Sequence, residues 1–218
     1  MKAILFDLDG TLLDRKSSIQ VFLNKQYDRL YPWLKTMDKE AYIQRFIELE
    51  CNGYVWKDKV YQQLIEENGF SHCSTEMLLD DYIEHFQESC IPFEGLHTLL
   101  YSLRSKGYKL ALLTNGREMM QMRSIRGLGI EVFFDQILIS EKEGCSKPDA
   151  EIFHRALSRL NVRPDQAVYV GDHLENDIIG AKQAGMKTIW KQHRPFNDTQ
   201  ADAEIDQLAE LIELLESW

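Results

Sequence analysis

From residue 108 to 190 the chain alternates short β-like runs with amphipathic helical stretches, and few architectures accept that alternation. A parallel strand pair needs a crossover, usually helical, so repeated βα units build a parallel sheet covered on both faces. The expected strands are Ala3–Phe6, Lys109–Thr114, Gln136–Ile139, 167–170 and 188–190. Ligands bind such sheets beyond the carboxyl ends of the strands. Asp7, Thr114 and Asp172 each fall there, so three polar clusters distant in sequence are expected to meet in one crevice.

The stretch 15–91 is of another kind. Helical periodicity runs through it, as in Ala41, Phe46 and Leu49 and then Val60, Leu64 and Ile65, with no alternating strand pattern. A crossover needs only about a dozen residues, so the surplus predicts an inserted α-helical cap, 15–91, on a core formed by 1–14 and 92–218. Pro92 reopens the core ahead of a helix through Leu103. A last helix is predicted over 201–218, acidic on one face and packed on the core's edge. No repeat, low-complexity tract or flexible linker interrupts the chain.

The formal charge of −10 disfavours nucleic acid and anionic membrane surfaces as partners. A small anionic substrate fits only where a cation and a local lysine reverse the field. Cys51, Cys73, Cys90 and Cys145 lack metal-ligand spacing, which predicts reduced structural thiols rather than a disulfide framework or a zinc site. The chain enters a strand at once, without a signal segment, and no run reaches the ~20 apolar residues of a membrane span. A cytoplasmic location is expected.

The first strand delivers two carboxylates, Asp7 and Asp9, followed by Gly10 and Thr11. If the strand continues, the two acids share a face and, at about 4 Å and an effective dielectric near 20, repel by roughly 4 kcal/mol. Alternatively the chain turns at Leu8, the acids diverge and a backbone carbonyl turns in. Both arrangements favour a hard cation such as Mg²⁺, which takes oxygen ligands.

Four motifs stand in order at strand ends: FDLDGT from Phe6, LLTNG from Leu112, CSKPD from Cys145 and VGDHLENDIIGA from Val170. Singly each has an ordinary reading, as a turn, a helix cap or a loop lysine. Together they resemble the haloacid dehalogenase superfamily of hydrolases, in its phosphatase branch with a helical cap at the first of the family's two cap positions. The segment ISEKEGCSKPDAEIF is similar to its nucleotidase and sugar-phosphate phosphatase branches. The resemblance implies a Rossmann-like α/β core, a parallel sheet with helices on both faces, and Mg²⁺-dependent hydrolysis of a small phosphorylated metabolite. It implies that Asp7 is the nucleophile and that Asp9 protonates the leaving alkoxide and then deprotonates water. Thr114 and the Asn115 N–H would hold phosphoryl oxygens, and Lys147 would neutralise phosphate and nucleophile. Asp172 would ligate the metal beside Asp7 and the Asp9 carbonyl, with Asp177 orienting a metal-bound water or Lys147.

Other polar residues carry less. His97, His154 and His193 have no partners at ligand spacing and read as surface or capping groups. Trp33, Trp56 and the tyrosines of the insert read mostly as core. Arg15, and Asn52, Tyr54 and Trp56 around the break at Gly53, are candidates to face a substrate. Glu175 and Asn176 are expected to shape the loop around the metal. A 2-haloacid dehalogenase, a phosphosugar mutase and a catalytically silent phosphate-binding module are the rival readings. Displacing halide needs neither a leaving-group acid nor a metal, so Asp9 argues against the first.

Overall fold

The computed structural model describes residues 1–70, 72–191 and 200–218. It divides into two compact units, Met1–Asp14 with Pro92–Trp218, and Arg15–Ile91.

The first unit is built on a six-stranded sheet in the order β3-β2-β1-β4-β5-β6. Its strands are β1 (Ala3–Phe6), β2 (Lys109–Thr114), β3 (Gln136–Ile139), β4 (Ala167–Gly171), β5 (Lys187–Lys191) and β6 (Ala203–Ile205), and every pairing is parallel. The central strands are apolar at nearly every position because both faces are covered: all four residues of β1 and all five of β4 are buried. Register puts the strand ends level, with Phe6 beside Leu112 and Val170. Residues that leave these strands therefore emerge at one edge. The helix Ala150–Leu160 packs Ile152, Phe153, Ala156, Leu157 and Leu160 into the core beside Leu5, Leu113 and Tyr169, apolar positions at helical spacing.

The carboxyl-terminal segment departs from the predicted helix over 201–218. Residues Ala203–Ile205 instead pair with β5, and the helix covers only Glu210–Glu216. Asp202 explains the switch. Its carboxylate accepts from the Thr188 N–H at 2.8 Å and the Thr188 hydroxyl at 3.0 Å, while its own N–H donates to the Thr188 carbonyl at 3.0 Å. These bonds start a ladder that buries Ile205, and three residues are too few to show an alternating pattern. The remaining helix buries Leu211 and Leu215 and exposes Glu210, Glu213 and Glu216.

The second unit is helical, with helices Arg15–Arg29, Tyr31–Leu34, Lys39–Glu50, Lys57–Asn68 and Thr75–His85 and no strand among its described residues. Helix Lys39–Glu50 buries Tyr42, Ile43, Phe46 and Glu50. Ala41 is exposed and Leu49 half-buried, so the apolar face lies beside the one the periodicity suggests. Gln26 is fully buried with all its polar atoms used: Oε1 accepts from Tyr42 and Tyr61, each at 2.9 Å, and Nε2 donates to the Leu78 carbonyl and to Asp81, each at 3.0 Å. Glu50 accepts from Arg15 at 2.9 and 2.5 Å and from Lys57 at 2.9 Å. Both place buried polar atoms on hydrogen-bonding partners, where a missing partner would cost most. No described helix is long and apolar enough to cross a membrane, and the four cysteines are unbridged.

Candidate active site

Asp7 remains tied to the sheet, its N–H donating to the Val170 carbonyl at 2.9 Å. The chain then turns. The N–H groups of Leu12 and Leu13 both donate to the Leu8 carbonyl at 2.9 Å, and Gly10 donates to the Leu13 carbonyl at 2.9 Å. Of the two arrangements open to the paired acids, the turn at Leu8 is the one adopted, and Asp7 and Asp9 take different partners.

Asp7 joins a buried charge cluster. Lys147 Nζ donates to Asp7 Oδ1 at 2.5 Å, to Asp177 Oδ1 at 2.7 Å and to the Tyr169 hydroxyl at 2.9 Å. All three ammonium donors are thereby used. Tyr169 passes its own proton to the Leu113 carbonyl at 3.2 Å. Asn115 clamps the Lys147 backbone, accepting from its N–H and donating to its carbonyl, both at 2.9 Å. Asp177 Oδ2 accepts from the His173 N–H at 3.0 Å, and the Trp190 indole donates to the Asp172 carbonyl at 2.9 Å. Gly10, at φ +85°, and Gly171 make room for the acids: a Cβ on either would overlap the carboxylate of Asp172 or Asp177 respectively.

Carboxylate oxygens of Asp7, Asp172 and Asp177 all lie within 4.8 Å of one another. Among the described residues Lys147 is the cation hydrogen-bonded into this cluster, to Asp7 and Asp177, and three carboxylates crowd around it. The titration behaviour follows. Burial pushes the Asp7 carboxyl well above the ordinary aspartate value against the opposing pull of Lys147, and Asp177 and Asp172 push it further. Burial and the Asp177 charge push Asp172 up to about 7. Burial alone would favour a neutral Lys147, but Asp177 and Asp7 outweigh it and hold the ammonium well above the usual lysine value. An all-oxygen, electron-rich donor set short of positive charge fits a hard divalent cation such as Mg²⁺.

Asp9 faces elsewhere. Its Oδ2 accepts from Gln121 Nε2 at 2.8 Å, and the same nitrogen donates to Thr114 Oγ1 at 2.5 Å. Asp7, Lys147, Asp172 and Asp177 thus share one cluster, with Asn115 bracing it, while Asp9 and Thr114 are joined through Gln121. Arg15 belongs to the helical unit, where it pairs with Glu50. There the break after Glu50 holds Cys51, Asn52 and Gly53 at positive φ, and Tyr54 and Trp56 are exposed rather than core. His97 and His154 are exposed, and His97 bonds the Leu128 carbonyl at 2.8 Å; His193 lies outside the described residues. Glu175 is exposed, and the Asn176 N–H donates to His173 Nδ1 at 3.1 Å.

Sequence reasoning missed Tyr169 and Gln121. Each had a signal: a phenol on a wholly buried strand needs a partner for its hydroxyl, and Gln121 shares a helix face with the buried Ser124 and Ile125.

A model of the haloacid dehalogenase-like hydrolases matches residues 4–191. The chain is 38% identical to the glyceraldehyde 3-phosphate phosphatase of Pyrococcus abyssi, covering 100% of this chain and 94% of that one. Among solved structures it resembles a HAD phosphatase from Thermococcus onnurineus, at 31% identity, coverage of 99% and 98%, and a TM-score of 0.69. A 2-haloacid dehalogenase from Pseudomonas syringae pv. Tomato DC3000 is similar at 29% identity, coverage of 100% and 99%, and a TM-score of 0.70. The chain belongs to the haloacid dehalogenase-like hydrolases. Within that family it is a phosphatase, a phosphoric monoester hydrolase.

Proposed function

We propose that this enzyme is a Mg²⁺-dependent phosphatase that hydrolyses a small phosphate monoester, a sugar phosphate or nucleoside monophosphate, through an aspartyl-phosphate at Asp7. The observation that carries the reading is the divergence of two acids only two residues apart, one set beside a lysine and two further carboxylates, the other bonded to Gln121. Double displacement at phosphorus needs this division of labour between a nucleophile and a proton carrier. The similarity to a glyceraldehyde 3-phosphate phosphatase favours sugar phosphates of triose size as the first substrates to try.

In the first step the Asp7 carboxylate attacks phosphorus, and the ester P–O bond breaks as Asp9 gives its proton to the departing oxygen. In the second, Asp9 takes a proton from the water that attacks the acyl phosphate, which releases inorganic phosphate and restores Asp7. The Thr114 hydroxyl and the Asn115 N–H hold phosphoryl oxygens. Lys147, fixed by Asp177 and Tyr169, offsets charge on nucleophile and phosphate. Asp7, Asp172 and the Asp9 carbonyl, with Asp177 in the same oxygen cluster, would hold Mg²⁺, which would supply the electrostatic screening an anionic nucleophile needs beside an anionic ester. Enzymes accelerate phosphate monoester hydrolysis by up to ~10²¹, so positioning and fixed electrostatics act together with the covalent route. Residues 15–91, inserted directly after the loop of Asp7 and Asp9, are assigned the role of a cap from that insertion alone.

The similar dehalogenase structure makes halide displacement the second reading. An acid bonded at Asp9 has no task there. Phosphate release from a panel of sugar phosphates, nucleotides and phosphorylated acids, with and without Mg²⁺, decides between them. Metal-dependent release is expected; halide release from a 2-haloacid with no phosphate from any ester would overturn the proposal.

A further inference from the structure

Gln121 lies in the helix Glu118–Gly127, is 8% exposed, and has a connection no strand-end motif announces. One amide nitrogen donates both to Asp9 Oδ2, at 2.8 Å, and to Thr114 Oγ1, at 2.5 Å. An amide NH₂ has two donors, so one group can satisfy both oxygens. The backbone is shaped around it: a Cβ on Gly116 would lie 3.0 Å from Gln121 Cγ and Cδ, a contact that would press the side chain aside. Gly116 is itself fixed by its N–H, which donates to Ser140 Oγ at 2.9 Å.

We infer that Gln121 is a positioning residue for proton transfer, acting through Asp9 and Thr114; the inference rests on the phosphatase reading above. By donating to Oδ2, it fixes the plane in which the Asp9 carboxyl meets the leaving group. By donating to Thr114 Oγ1 it fills a lone pair on the hydroxyl, whose own hydrogen points to the Asn115 carbonyl at a long 3.5 Å and can turn to a phosphoryl oxygen when one is bound. The two bonds couple the group that protonates the leaving oxygen to the group that holds the phosphoryl. Aspartate at position 9 supplies the acid, and glutamine at position 121 holds its carboxyl in orientation.

A leaving group that needs no proton separates this role from a structural one. An alkyl alkoxide depends on general acid help, typically worth 10²–10⁴-fold, whereas 4-nitrophenolate departs with little. The experiment compares kcat/KM for the best primary alkyl phosphate of the panel with that for 4-nitrophenyl phosphate, in the wild type, Gln121→Met and Gln121→Glu. Met keeps length without donors, and Glu keeps shape without the N–H pair. Both variants are expected to lose about 10²-fold on the alkyl ester, the scale of a misplaced catalytic group, and less than about 5-fold on the aryl ester. Equal losses on both esters, or none on either, in both variants would overturn the inference and leave the phosphatase reading standing. A wild type that releases phosphate from neither ester would instead sink that reading.

Discussion

The two units each bury a carboxylate among charges, with opposite results. In the helical unit Glu50 is 3% exposed and is shared between Arg15 and Lys57. Burial works against its ionised form, but the two cations outweigh it and hold its carboxyl below the ordinary glutamate value. In the sheet unit Asp7 and Asp177 share Lys147 with Asp172 close by, and the Asp172 carboxyl is pushed up to about 7. A carboxylate matched by its neighbours holds a fold together; a cluster short of positive charge is built for something that arrives.

The largest way to break this contrast is at Asp7. Asp7→Asn keeps the volume but offers no anionic oxygen to phosphorus, and turnover is expected to fall by at least about 10⁴-fold with an unchanged thermal midpoint. Near-normal phosphate release from the variant would remove the nucleophile from the account. Glu50→Gln and Asp172→Asn should then move stability in opposite senses. Losing the Glu50 charge removes the anion set between Arg15 and Lys57 and is expected to cost about 2–3 kcal/mol in chemical denaturation, discounted because Arg15 is partly exposed. Losing the Asp172 charge relieves repulsion, so the metal-free variant should be no less stable than the wild type while its thermal response to Mg²⁺ disappears. Equal destabilisation by both substitutions would refute the contrast.

pH sharpens the same comparison. The Asp172 carboxyl titrates higher in the folded metal-free protein than in the unfolded chain, so ionising it costs stability that is lost as pH rises through about 7. Glu50, held low, contributes stability above its unfolded value that is lost as pH falls. Because metal binding needs ionised ligands, the rise in thermal midpoint on adding Mg²⁺ should be larger at pH 8 than at pH 6, and a rise independent of pH would contradict the assignment. The smallest effect is expected from Tyr169→Phe. It removes one of three acceptors of Lys147 and one hydrogen bond to Leu113, worth about 1 kcal/mol, and should lower kcat by less than about 10-fold.

The central sheet and its strand-end polar residues are legible in the sequence because each closes an apolar run: position along the chain and position at the sheet's edge are the same fact for Asp7, Thr114 and Asp172. β6 is not legible, since Ala203–Ile205 is a strand only because Asp202 finds Thr188. Tyr169 and Gln121 escape for a related reason. Their partners lie 22 and 112 residues away in the chain, and no local pattern records a hydrogen bond made across a fold. Trp56, read mostly as core and alternatively as a residue facing a substrate, is left 44% exposed by the structure.

The most direct test of the separation of Asp7 from Asp9 is to catch the covalent enzyme. Asp9→Asn, mixed with 4-nitrophenyl phosphate and Mg²⁺ and quenched in acid, should show one phosphoryl group by mass spectrometry, on the peptide that contains Asp7. Release of 4-nitrophenol is then expected in a burst matching the enzyme concentration, with slow phosphate release behind it. Release of 4-nitrophenol and phosphate together at every time point, with no phosphorylated peptide, would contradict the account.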